Sequence, residues 1–287
     1  MAASSVAIAG LDFQQDLHSV EVELRSLLCG ESAEGATCDA GSRSVHDAMV
    51  YATLGGGKRI RPLLSLRVAQ LVGNLTALSL RAAAAVEVFH CASLIIDDLP
   101  CMDNEMERRG RPTVHVAFGE PTAVLAAFGL VALGSRCVLE LPFSNGQLPP
   151  VVDFQKRLLR TLDCSGLIAG QARDLTLEQS SPQNHRSEVN EMKTVPLFEL
   201  AVEAGMLGAD LSVEERGCLR LFGREFGRAF QLSDDLLDGD LNHRQPFLEH
   251  LSASRRLISG FGERKERVSV LLDYLNAYAD QKNHCHR

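Results

Sequence analysis

Two clusters of carboxylates, each closing an apolar helical segment, constrain this chain more than any other feature. The first lies in Ser93 to His115, SLIIDDLPCMDNEMERRGRPTVH, where an apolar run ends in Asp97 and Asp98. Asp103 follows, and then come Arg108, Arg109 and Arg111. The second is FQLSDDLLDGD, Phe230 to Asp240, in which Asp234 and Asp238 stand four apart and share one helix face, with Asp235 between them. Like charges at that spacing destabilise a bare helix, so something is expected to offset the repulsion. Oxygen-only ligands suit Mg²⁺, which commonly joins one or two protein carboxylates to substrate phosphates. Arginines beside them suit the remaining phosphate oxygens, because the guanidinium fork binds bidentately. Taken alone, either cluster also reads as a charged helix end in solvent. Taken together, they imply two walls of one cavity with metal between them.

The rest of the chain is dominated by helical periodicity, and no alternating strand pattern stands out. Amphipathic helices are expected over residues 11–30 and 43–54. Gly55-Gly56-Gly57-Lys58-Arg59-Ile60-Arg61-Pro62 follows, where glycines let the backbone approach a ligand and cations come at once. It lacks the spacing of a Walker loop; a helix end followed by a solvated basic turn is the alternative. Residues 61–73 read as a helix, and Thr76 as the N-cap of a long Ala-rich helix reaching Asp98. His90 lies seven positions before Asp97, nearly two turns and so on the same face, either as a satisfied core residue or as a phosphate contact. A helix is expected over 118–140, a loop over Leu141 to Pro150, and a helix from 151 carrying Gly170-Gln171 and Asp174. Those polar residues would touch ligand or brace neighbouring helices. Glu191 to Gly208 reads as a helix kinked at Pro196, with Lys193 and Thr194 just before the kink. Ser212 to Glu215 is a capping box opening the helix that leads to the second acid cluster. Two further helices are expected over 246–259 and 263–280. With no repeat and no linker, residues 1–287 read as one all-α domain.

Bulk properties exclude several classes. The chain has 287 residues, a formal net charge of −8 and a pI near 5.6, a poor balance for nucleic acid. Eight cysteines without paired spacing read as reduced thiols rather than a disulfide framework. His284-Cys285-His286 reads as a frayed end rather than a metal site. The start, MAASSVAIAG, has no basic n-region. Ala123 to Leu133, taken as the longest apolar stretch, is too short to span a bilayer. No transmembrane segment and a cytoplasmic location are therefore expected.

In this order, GGKRIRP, the His seven before an acid pair, DDLPCMD with RRG, GQ-x-x-D, KT and FQ-x-x-DD-x-x-D resemble the trans-isoprenyl diphosphate synthases, or polyprenyl synthetases. The resemblance covers nearly the whole chain to about residue 240. The two extra residues between the acids of the first cluster are similar to short-chain members, particularly geranylgeranyl diphosphate synthases. It implies a helical bundle around a deep central cavity, a homodimer, and Mg²⁺ as cofactor, three ions when substrate is bound. By the same resemblance Asp97, Asp103 and Asp234 would hold Mg²⁺ directly, with Asp98, Asp235 and Asp238 close behind. Arg108, Lys193 and Gln231, with Thr194 beside them, would hold an allylic diphosphate; Lys58, Arg61, His90 and Arg109 would hold isopentenyl diphosphate. The implied reaction ionises the allylic substrate and joins it head-to-tail to isopentenyl diphosphate, with Asp97, Asp98, Asp103, Lys193 and Asp234 as the catalytic set. Ala92, fifth before Asp97, stands where short-product members often carry an aromatic, so a product of about C20 or longer is expected; Ser93 beside it is also small.

Three features depart from the pattern. Ile96 stands where members usually carry His, and Ala127-Phe128 where a glycine-aspartate pair is common. A Gly/Lys loop usually follows the second cluster, whereas here the next lysine after it is Lys265, with His243 and Arg244 as candidate replacements. Two other readings follow from these departures: a regulatory subunit of a heteromeric synthase, and a class I terpene cyclase. The complete acid clusters argue against the first. The absence of an Asn/Ser/Glu metal motif and the presence of Lys58, Arg61 and His90 argue against the second.

Overall fold

Small residues and apolar stripes set the packing. A computed structural model describes residues 13–30, 40–141, 148–164, 166–177 and 184–280, the side chains of 177, 184–190, 238 and 241 excepted. The first four helices are α1 (Gln14–Cys29), α2 (Ala40–Leu54), α3 (Ile60–Leu71) and α4 (Ala77–Asp97). Next come α5 (Val114–Phe118), α6 (Glu120–Arg136), α7 (Leu148–Leu162) and α8 (Leu167–Leu177). The last four are α9 (Asn184–Gly205), α10 (Val213–Asp238), α11 (Arg244–Ile258) and α12 (Glu266–Asp280). The all-α expectation holds.

Helix α4 is the axis of the bundle. Ala82, Ala83, Ala84 and Ala85 are fully buried, and such short side chains let α1, α3, α6 and α9 close in around it. Its N-terminus is fixed as expected by Thr76, whose hydroxyl accepts from the Ser79 amide at 3.2 Å in a reciprocal capping box. α4 is also long and apolar enough to cross a bilayer, a stretch that the reading of 123–133 as the longest apolar run overlooked; about two thirds of that window is buried inside the bundle.

Helix α10 forms the opposite wall, packed against α9, α11 and α12. The expected capping box at its start is present: the Glu215 amide donates to the Ser212 hydroxyl at 3.1 Å, and Glu215 accepts from the Ser212 amide at 2.8 Å. Gly239, with φ of 103°, closes its other end as a left-handed cap.

Several local expectations are corrected. The helix from 151 starts at Leu148, with Pro149 and Pro150 in its first turn where their missing amides cost nothing. It does not continue to Asp174: α7 ends at Leu162 and α8 begins at Leu167. A Cβ at Gly166 would lie 2.2 Å from the Thr161 carbonyl oxygen, so this turn accepts only glycine. α9 runs unbroken through Pro196 and begins at Asn184, earlier than expected. A two-stranded hairpin, β1 (Glu107–Arg108) and β2 (Arg111–Pro112), is also present. Its turn residues Arg109 and Gly110 both have positive φ, 56° and 75°, the signature of a tight primed turn. The six described cysteines are free thiols. The expected loop over Leu141 to Pro150 lies largely outside the described residues, and His284-Cys285-His286 lies wholly outside them.

Candidate active site

The first acid wall is built by the end of α4 and the turn beyond it. Asp97 occupies the last helical residue and Asp98 the C-cap. The chain then folds back, with the Asp103 amide donating to the Asp97 carbonyl at 2.9 Å and the Glu105 amide to the Asp98 carbonyl at 3.2 Å. This return sets Asp103 beside Asp97. Burial first, opposed by Lys193 and reinforced by Asp103, pushes the Asp97 carboxyl up to about 6. Asp97 has no side-chain hydrogen-bond partner among the described residues. Asp98 is different: it is buried, and Arg108 grips it through Nε at 2.7 Å and Nη2 at 2.6 Å. Burial also raises the Asp98 carboxyl, with Arg108 opposing. Gln171 of α8 donates to Asp103 Oδ1 at 3.4 Å, and Lys193 of α9 pairs with Asp174 of α8 at 2.8 Å. Gln171 and Asp174 thus do both things their spacing allowed, since one reaches the acid wall and the other braces a helix.

The cationic wall is set by Gly56 and Gly57, whose φ values of 94° and 131° only glycine adopts freely. A Cβ at Gly57 would strike the Arg109 guanidinium at 2.5 Å, so this glycine admits the hairpin arginine, which donates to the Gly56 carbonyl. Lys58 extends to Asp234 at 3.2 Å. Arg61 is buried in the first turn of α3, with Nη1 3.1 Å from His90 Nε2 and its guanidinium 4.7 Å from the Phe198 ring centroid. Burial holds Arg61 down to about 10 and, with the Arg61 charge next, holds His90 well below its ordinary 6.5. The imidazole is therefore neutral and accepts from Arg61.

The second acid wall is the end of α10. Asp234 receives Lys58 and Tyr278 on Oδ1. Asp235 accepts from Gln231 at 3.1 Å and faces His243 Nδ1 at 3.1 Å. Gln231 in turn accepts from the Thr194 hydroxyl at 2.8 Å. The Asp238 side chain lies outside the described ones. His243 belongs to a single 3₁₀ turn, Leu241–His243, that runs straight into α11. Arg244 pairs with Asp280 at 2.9 Å, so of the two candidate replacements for the usual lysine it is His243 that stays at the second acid wall.

A cleft of about 900 Å³ joins the cationic wall to the second acid wall. Lys58, Arg61, His90, Arg108, Arg109, Thr194, Gln231 and Asp234 all border it, as do the apolar side chains of Ile60, Leu94 and Phe230. Asp97, Asp98, Asp103 and Lys193 do not border it; α9 bridges the two regions, since Lys193 senses the charges of Asp97 and Asp103 while its neighbour Thr194 bonds Gln231 of the second wall. Ala92 is buried in the core and borders neither this cleft nor a smaller void of about 50 Å³ beside Cys91 and Ile95. Ser93 donates to the His90 carbonyl at 2.9 Å.

Among the described residues, no three His, Cys, Asp or Glu side chains gather into a closed metal cage. Mg²⁺ takes one or two protein carboxylates and fills its octahedron with water and phosphate oxygens. For such an ion, both oxygens of the Asp97 carboxylate, Oδ2 of Asp103 and Oδ2 of Asp234 accept no hydrogen bond among the described residues.

Sequence reasoning missed two residues here. Arg59 reads as one more loop cation, yet it points inward, nearly fully buried, with φ of 50°. Tyr278 lies in a C-terminal segment that carries no motif.

The polyprenyl synthetase family model matches residues 42–244. Geranylgeranyl pyrophosphate synthase 6, mitochondrial, of Arabidopsis thaliana is 40% identical over 200 residues, 68% of this chain and 60% of that protein's length. The chain therefore spans less than two thirds of this curated relative. Among solved structures, a geranyltransferase from Legionella pneumophila superposes with a TM-score of 0.80 at 29% identity, covering 94% of this chain and 96% of its own. An FPP/GFPP synthase from Zymomonas mobilis gives 0.80 at 30% identity, covering 93% and 95%. With the match of the family model spanning both acid clusters and the glycine loop, the chain belongs to the polyprenyl synthetase family.

Proposed function

We propose that the chain is a prenyltransferase that condenses isopentenyl diphosphate head-to-tail with an allylic diphosphate, giving a short-chain prenyl diphosphate, most simply geranylgeranyl diphosphate. The observation that carries this reading is the meeting, in one cleft, of Lys58, Arg61, His90 and Arg109 with Asp234, Gln231 and Thr194. A terpene cyclase, with one diphosphate to bind, has no use for the first of these groups.

In this reading Lys58, Arg61 and Arg109 grip the diphosphate of isopentenyl diphosphate, and His90 is oriented toward it by Arg61. Arg108, Lys193, Thr194 and Gln231 hold the allylic diphosphate. Asp97, Asp103 and Asp234 would hold Mg²⁺, three ions with substrate bound, with Asp98, Asp235 and Asp238 nearby. Bound Mg²⁺ supplies Lewis-acid neutralisation of the departing diphosphate. Ile60, Leu94 and Phe230 keep water from the allylic cation, while Lys58 and Arg61 hold the isopentenyl double bond against it. Ala92 and Ser93 set how far the product extends. The exposed side chains of Leu125 and Phe128 on α6, 55% and 68% accessible, support a homodimer formed through that helix.

The test is an assay of the purified chain with Mg²⁺, isopentenyl diphosphate and dimethylallyl, geranyl or farnesyl diphosphate. A longer, acid-labile prenyl diphosphate is expected. Folded protein that elongates no primer would contradict the reading and favour a regulatory subunit.

A further inference from the structure

Asp234 receives two hydrogen bonds, and both fall on the same oxygen. Lys58 Nζ lies 3.2 Å from Oδ1 and the Tyr278 hydroxyl 3.0 Å from it. Lys58 also donates to that hydroxyl, and its ammonium sits 4.0 Å from the centroid of the Tyr278 ring. Oδ2 is left without a hydrogen bond among the described residues. Tyr278 comes from α12, outside the stretch matched by the family model, and is held by packing: α12 lies against α3 and α10, and Tyr278 stacks on the buried Tyr274 at 5.9 Å between centroids.

We infer that Tyr278 is a positioning residue of the second acid wall, whose hydroxyl fixes Asp234 through Oδ1 so that Oδ2 faces a divalent cation. This rests on the proposed reading of Asp234 as a metal carboxylate and extends it to a residue that no motif marks. A carboxylate that must bind metal through one oxygen gains from a donor on the other, because outer partners fix ligand orientation. A hydroxyl does this without adding positive charge beside the cation, whereas an ammonium competes with it. When Lys58 turns to a diphosphate, Tyr278 remains as the donor on Oδ1, and the carboxylate keeps its direction.

The test uses the full chain as wild type, Tyr278→Phe, Asp234→Asn and the double variant. Mn²⁺ binding in the presence of inorganic diphosphate is followed by electron paramagnetic resonance, with melting temperature recorded alongside. Tyr278→Phe keeps the stacked ring and should weaken Mn²⁺ binding about tenfold, the lower end for loss of an outer-sphere partner. In the Asp234→Asn background the same change should have no further effect. Unaltered Mn²⁺ affinity in Tyr278→Phe overturns the inference while leaving the metal site standing. An equal loss in both backgrounds also overturns it, because a general structural effect does not depend on Asp234. Wild type that binds no Mn²⁺ with diphosphate overturns the metal reading itself, and the inference with it.

Discussion

Arg59 Nη1 donates to Glu87 Oε1 at 2.8 Å, and both side chains are almost wholly shielded from water. The same guanidinium reaches Glu21 of α1 at 2.7 Å and the Thr53 carbonyl at 2.6 Å. Burial pulls the Arg59 pKa down, but Glu87 and Glu21 more than offset it, so the charge is secure. One arginine thus anchors the loop to α1, α2 and α4, and its left-handed backbone sends Lys58 and Arg61 on either side into the cleft.

Arg59→Met should therefore do two things. Leaving Glu87 buried without its partner should cost about 3–5 kcal/mol, read by urea unfolding. Turnover that survives should show a raised KM for isopentenyl diphosphate, because Lys58 and Arg61 lose their common anchor. A variant as stable as wild type would show that the pair is not the anchor.

His90 gives a pH dependence with a definite sign. Burial first, and then the charges of Arg61, Arg109, Arg108 and Arg59, hold its pKa well below 6.5. The unfolded chain binds a proton that the native chain refuses, so the contribution of His90 to native stability falls as pH drops below about 6.5, with Asp97, raised to about 6, opposing it. The loss is at most about 1.4 kcal/mol per pH unit. His90→Gln should flatten that slope relative to wild type in unfolding titrations between neutral and mildly acid pH. Parallel slopes would remove His90 as the titrating group.

Arg108 and Asp98 form a forked pair at the mouth of the first wall. Arg108→Lys keeps the charge but loses the fork, and only one of the contacts to buried Asp98 survives. A loss of about 1–2 kcal/mol is expected, that of a charge-assisted hydrogen bond, with a raised KM for the allylic substrate. If Lys serves as well as Arg in both measurements, the fork has no role.

Ala92 is buried in the packed core of α4. Ala92→Phe should shorten the product by one or more isoprene units, visible by mass spectrometry, and cost about 1–3 kcal/mol through overpacking. An unchanged product from a folded variant would place the chain-length floor elsewhere.

What was legible in the sequence follows from the range of the interactions. The N-cap at Thr76 and the capping box at Ser212 depend on residues within one helical turn, and both appear where their spacing puts them. The α7–α8 break escaped notice because one turn at Gly166 interrupts an otherwise continuous periodicity. The hairpin escaped because two-residue strands are too short to alternate, although Arg109-Gly110 carried a turn signal. Arg59 was invisible as an anchor because only its backbone conformation separates it from Lys58 and Arg61. Tyr278 reaches Asp234 across 44 positions of chain, a relationship that periodicity does not encode.

The central claim is that two carboxylate walls, separate in sequence, serve one metal-diphosphate site. Anomalous diffraction from crystals grown with Mn²⁺ and inorganic diphosphate tests it most directly. The account predicts Mn²⁺ peaks in contact with Asp97 and Asp103 on one side and Asp234 on the other, bridged by the diphosphate. Peaks confined to outlying carboxylates such as Asp153, with none between Asp97 and Asp234, would contradict it.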